Sequence, residues 1–239
     1  MTDALFDKEL NATLEAAFER ARQIYAKRGF QRRIGFGSRP ALINVDLANA
    51  WTRPGNPFTC EEMDDRVMPN VQKLLAAFRR NALPVVHITT AYQITDMDTP
   101  FTDMGLWQKK IPIEVVRMDQ PELWAIDSRI EPIAGEQVLL KKRASAFHGT
   151  YLAGYLRAAG VDTIIVTGVT ASACVRETVC DGIADGFRTI IARECVGDRI
   201  PGAVAWNLFD LDAKFGDVEP TDACIAYLDG LNARRAAAE

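Results

Sequence analysis

The chain has 239 residues, 48% of them hydrophobic and 25% charged, with a formal net charge of −4. This is enough for one large α/β domain with a sizeable core, and too apolar for a disordered segment. Charges of both signs are interspersed throughout, so the basic stripe of a nucleic-acid binder is missing, and no apolar run approaches the roughly 20 residues that span a bilayer.

Residues 5–27 carry a helical period, with Leu10, Leu14, Phe18, Ala21 and Ile24 or Tyr25 on one stripe and Thr2 or Asp3 as its cap. Residues 29–40 are rich in Gly and Arg and read as a linker. Residues 1–35 are thus expected to form an N-terminal helical arm, packed on its own domain or on a neighbouring subunit. The first residues are charged throughout and lack the apolar core of a signal peptide, which predicts a cytoplasmic protein.

A single domain over residues 36–232 follows. Its predicted elements are a strand at 41–45 (ALINV), a helix at 68–80, a strand at 84–89 and an irregular region at 92–112. Then come a strand at 138–140, a helix at 151–159, a strand at 163–167 (TIIVT), a helix at 172–185, a strand at 189–193 and a helix at 203–214. Val218 starts an edge strand, and the chain closes on a short Ala/Arg tail. Strands that are continuously apolar suit a sheet covered on both faces. Strand–helix alternation at this spacing means right-handed crossovers. The fold expected is α/β, a doubly wound parallel sheet with helices on both faces.

In such sheets ligands bind beyond the carboxyl ends of the strands. Three reactive side chains fall there: Asp46 directly after ALINV, Lys141 directly after QVLL, and Cys174 just after TIIVTGVT. An acid, a base and a thiol on one rim form a nucleophilic constellation. Cys174 follows Gly168 closely and sits in the first turn of the next helix. Free N–H groups and the helix dipole there are expected to lower its thiol pKa and to hold an oxyanion. Cys180, six residues on, reads as packed.

The five cysteines, Cys60, Cys174, Cys180, Cys195 and Cys224, are odd in number and contain no C-x-x-C pair, which argues against a disulfide framework or zinc ribbon. His87 lies inside a strand and reads as a satisfied core histidine, whereas His148 is close enough in sequence to reach the site. There is no G-x-S-x-G elbow, no phosphate-binding glycine loop and no zinc-ligand spacing. No cofactor and no metal are expected.

The segments RPALINVD, LLKKRASAFHGT, VTGVTASACVRETVCDG and RECVGDR, followed by NLFDLDAKFGDV, resemble the isochorismatase-like cysteine hydrolases over residues 36–227. The resemblance implies Cys174 as nucleophile, Asp46 as the group that takes the thiol proton, and Lys141 (its neighbour Lys142 being the competing assignment) as their partner. It implies a cis peptide at Val169–Thr170 and an oxyanion held by the N–H groups of Thr170 and Cys174. The segment ARECVGDR looks like the branch of N-carbamoylsarcosine amidase and maleamate amidohydrolase, in which Arg199 would bind a substrate carboxylate. The stretch after Asp46 lacks the Asp-x-His ligands of metal-dependent nicotinamidases.

A small carboxylate-bearing ureido acid or amide is therefore the expected substrate, with Trp107 and Phe101 as expected pocket walls. A homodimer or homotetramer is expected by resemblance. A vinyl-ether hydrolase and a catalytically silent member of the same fold are the alternatives.

Overall fold

The computed structural model describes residues 8–93, 103–112 and 116–236. Six strands, β1 (Pro40–Val45), β2 (Val85–Thr90), β3 (Gln137–Lys141), β4 (Thr163–Val169), β5 (Arg188–Gly197) and β6 (Asp217–Glu219), pair in parallel in the order β3-β2-β1-β4-β5-β6. The order reverses between β1 and β4, which opens a crevice above their carboxyl ends. The described residues form eight α-helices: α1 (Lys8–Lys27), α2 (Asn49–Thr52), α3 (Met68–Arg80), α4 (Pro121–Trp124), α5 (Leu152–Ala158), α6 (Arg176–Ala184), α7 (Pro201–Lys214) and α8 (Thr221–Ala236). No helix among the described residues is long and apolar enough to cross a membrane.

Alternate strand residues feed two separate cores. Leu42, Val85, Ile165 and Ile190 pack under α3 and α8 through Leu74, Phe78, Cys224 and Leu228. Ile43, Val86, Ile164 and Ile191 pack under α5, α6 and α7 through Leu156, Val179 and Leu211. This is why the strands carry apolar residues on both faces. The arm helix α1 lies on α7 of its own chain, where Phe18 and Tyr25 stack on Phe209 at 5.6 Å each.

α8 runs to Ala236 and buries Cys224, Leu228 and Leu231. One sequence expectation needs correction. The strand expected to end at Arg193 continues to Gly197, since a register shift between Val166 and Gly168 lets Val196 and Gly197 rejoin β4.

Where β1 and β4 approach, the backbone leaves no room for a side chain. Gly168 has φ +106°, and a Cβ there would lie 2.0 Å from the Val45 carbonyl oxygen. A buried polar chain crosses the sheet below. The Thr167 hydroxyl donates to Asn44 Oδ1 (2.6 Å), which turns the Asn44 amide nitrogen toward His87 Nδ1 (3.4 Å). His87 Nδ1 therefore accepts, and Nε2 carries the proton that meets Glu136 (3.0 Å). Arg79 closes the chain on Glu136 at 2.7 Å.

Burial lowers the His87 pKa despite the opposite pull of Glu136. Burial alone would raise the Glu136 pKa, but Arg79, the Ile133 N–H and His87 draw it down to about 2. Both groups bind fewer protons folded than unfolded, so acid favours the unfolded chain. Stability is expected to drop as pH falls below the ordinary 6.5 of histidine, and further between 4.5 and about 2. Thermal melts against pH check this, and Glu136→Gln should flatten the lower limb. An equally steep limb in that variant would remove Glu136 from the argument.

Candidate active site

Asp46 is the first residue beyond β1. Its backbone is left-handed (φ 49°), a conformation aspartate tolerates better than most residues, and its N–H donates to the Ile88 carbonyl at 3.0 Å. Thr90 and Lys141 end β2 and β3 and stand in register with each other. These strand ends converge on one buried cluster. The Thr90 hydroxyl donates to Asp46 Oδ1 (2.8 Å) and accepts from Lys141 Nζ (2.7 Å). Lys141 Nζ also pairs with Asp46 Oδ2 at 2.8 Å and reaches Cys174 Sγ at 3.3 Å. Lys142 points elsewhere, to the Ala91 carbonyl and Asp103.

Cys174 sits in a π-helical turn, Ala171–Val175, that links β4 to α6, and the Val169–Thr170 peptide before it is cis. Asp46, Lys141 and Cys174 are 0%, 1% and 9% exposed. The thiol does not follow the expectation of a lowered pKa. Burial pushes it up to about 12, with Lys141 pulling it down and Asp46 pushing it further up. The reason is charge balance: Lys141 is already neutralised by Asp46, so a thiolate would add an unmatched negative charge to a dry site. At rest Cys174 is therefore a neutral thiol beside the Asp46–Lys141 pair.

Above this cluster lies a cavity of about 60 Å³. Trp51, Phe58, Tyr92, Trp107, Ile111 and Val116 give it largely apolar walls, and Arg199 adds a cation. Trp51 and Phe58 stack at 5.3 Å. Arg199 is exposed, and its side chain makes no ion pair among the described residues. His148 is exposed and does not line the cavity, so its expected reach is corrected. His87 is in the polar chain below the sheet, and Phe101 lies outside the described residues. Among the described residues no group of three His, Cys, Asp or Glu side chains could hold a metal ion.

Sequence reasoning missed Thr90, Trp51 and Phe58, whereas Tyr92, Trp107 and Ile111 come from the 92–112 region expected to supply the walls. Thr90 was within reach of the rule that found Lys141, because it too is the last residue of a strand. Thr90→Val would leave Asp46 Oδ1 buried without its donor, and is expected to cost about 1–3 kcal/mol of stability. Thr90→Ser should recover most of it, as read by denaturant midpoints. A valine variant as stable as the parent would show that the hydroxyl is dispensable.

A family model of the isochorismatase domain matches residues 40–223. The N-carbamoylsarcosine amidase of Arthrobacter sp is 54% identical, over 94% of this chain and 84% of its own length. The maleamate amidohydrolase of Pseudomonas putida is 41% identical, over 78% of this chain and 85% of its own. The crystal structure of N-carbamoylsarcosine amidase from Thermoplasma acidophilum superposes with a TM-score of 0.63 at 27% identity, covering 77% of this chain and 97% of that one.

Proposed function

The chain belongs to the isochorismatase family, and from that premise we propose that it is a cysteine amidohydrolase acting on a small N-carbamoyl amino acid, N-carbamoylsarcosine first. The observation that carries this is one lysine nitrogen touching both the Asp46 carboxylate and the Cys174 sulfur on the floor of a cavity that Arg199 also lines. A planar guanidinium suits a carboxylate, and the apolar walls suit the short carbon chain that carries it.

In the reading we favour, Asp46 takes the thiol proton as Cys174 Sγ attacks the carbamoyl carbon. The developing oxyanion rests on the N–H groups of Thr170 and Cys174. Asp46 returns the proton to the departing nitrogen, and ammonia leaves an S-carbamoyl enzyme. Water then breaks the C–S bond, restoring the thiol. The released N-carboxy amino acid loses carbon dioxide to give sarcosine. Because the free thiol stays protonated, deprotonation and attack are coupled to substrate arrival.

Maleamate is the second reading, since it also pairs a primary amide with a carboxylate. The ureido acid is preferred because the likeness to the N-carbamoylsarcosine amidase reaches over more of the chain, 94% against 78%. We place the enzyme in the cytoplasm, on its five free cysteines, and as a homodimer or homotetramer, by its family.

The test is ammonia release from N-carbamoylsarcosine, other N-carbamoyl amino acids, maleamate and nicotinamide. Arg199→Gln is expected to raise KM for the carboxylate-bearing substrate about 10–100-fold with little change in kcat, the value of one charge-assisted hydrogen-bond pair. No ammonia from any of the four classes would sink the substrate assignment.

A further inference from the structure

Asp198, which follows the last residue of β5 and precedes Arg199, is 4% exposed and pairs with no cation among the described residues. A buried carboxylate of this kind must be satisfied by hydrogen-bond donors. Its Oδ2 accepts from the Ser172 N–H (2.9 Å) and the Ser172 hydroxyl (2.7 Å). Its Oδ1 accepts from the Arg199 N–H (2.7 Å), and its main-chain carbonyl accepts from the Glu61 N–H (3.0 Å).

These four bonds reach three segments around the pocket: the turn that carries Cys174, the Arg199 backbone and the segment next to Phe58. Ser172 lies in the turn that carries Cys174, two residues before it. Arg199 carries the guanidinium. Glu61 closes the segment that brings Phe58 to the wall, and its neighbour Cys60 is bonded to the Trp51 carbonyl at 2.9 Å. A single side chain thus ties the backbone of the nucleophile to the backbone of the cation. We infer that Asp198 is a positioning residue that fixes the span between Cys174 Sγ and the Arg199 guanidinium, and so selects acids by the number of atoms between their carbamoyl carbon and their carboxylate. The inference rests on the reading of Arg199 as carboxylate receptor.

A rigid span rejects a substrate one methylene too long, whereas a loosened span loses that discrimination before it loses chemistry. The experiment compares kcat/KM for N-carbamoylsarcosine and for its homologue with one further methylene, N-carbamoyl-N-methyl-β-alanine. It uses wild type, Asp198→Asn and Ser172→Ala, each checked for folding by circular dichroism. Asparagine keeps the size of the side chain but cannot accept all three side-chain bonds. Ser172→Ala removes only the hydroxyl and keeps the N–H bond.

Wild type is expected to favour the shorter acid by about 10-fold or more, the usual value of a methylene in a shaped pocket. In Asp198→Asn the preference should shrink toward one, and in Ser172→Ala it should fall partway. If Asp198→Asn fails to fold, the Ser172→Ala ratio decides alone. Variants that lose rate equally on both acids, with the ratio unchanged, would make Asp198 merely structural and overturn the inference while leaving the proposed function standing. Wild type inactive on both acids would remove the N-carbamoylsarcosine reading, and this inference with it.

Discussion

Cys174→Ala is expected to lose ammonia release by about four orders of magnitude or more in kcat, while folding as the parent does. In the proposed reaction the thiol forms the covalent bond to the carbonyl carbon and is regenerated by water. Removing one sulfur atom from a turn held by its own backbone bonds and by Asp198 leaves that turn in place. The other thiols do not substitute for it. Cys180 lies on α6 six residues on, Cys195 and Cys224 are buried in the α8-side core, and Cys60 donates to the Phe58 carbonyl. Cys60→Ala is the matched control and should keep its activity. Iodoacetamide should alkylate Cys174 slowly at neutral pH in the substrate-free enzyme and faster as pH rises, because burial holds the thiol near 12. Undiminished ammonia release in Cys174→Ala would point to direct attack by water on the C–N bond, with no covalent intermediate on the thiol.

That prediction joins what the sequence discloses to what only the folded chain discloses. Strands β1 and β4 are legible because both faces of each are covered, so their runs are largely apolar, and in β1 and β3 the first charged residue marks the strand end. Asp46 and Lys141 fall out of that rule. Arg193 and Glu194 hide the end of β5, since they break the apolar run while β4 goes on pairing beyond them. In α8 the apolar stripe Cys224, Tyr227, Leu228 and Leu231 has helical spacing, yet the Ala and Arg around its end obscure it. The direction of the Cys174 pKa shift is opposite to what the sequence leads one to expect. A thiol at a helix start is visible in sequence, but the charge already balanced around it is a tertiary fact. The same holds for Asp198, whose three partners lie on two segments that the sequence keeps 26 residues apart.

Lys141→Met is expected to lower kcat about 10³-fold or more and to destabilise the protein by about 3–5 kcal/mol, since it leaves the Asp46 carboxylate without its cation in a dry site. Burial alone would lower the Lys141 pKa, but Asp46 and then Cys174 outweigh it and hold the ammonium above its ordinary 10.5. A raised pKa of this kind means the pair's contribution is complete at neutral pH and fades only above 10.5. At pH 7 the variant therefore shows the full loss. Methionine fills nearly the same volume, so the loss reports charge rather than a cavity. The double variant Lys141→Met, Asp46→Asn removes both charges together and should recover most of the stability. It should recover none of the activity, because neither a proton acceptor nor an ammonium remains beside the thiol. Denaturant midpoints and ammonia release on the same three preparations separate the two effects. A single variant as stable as wild type would mean that Asp46 is neutral in the resting enzyme, and the proton would then have to be taken from Cys174 by another group.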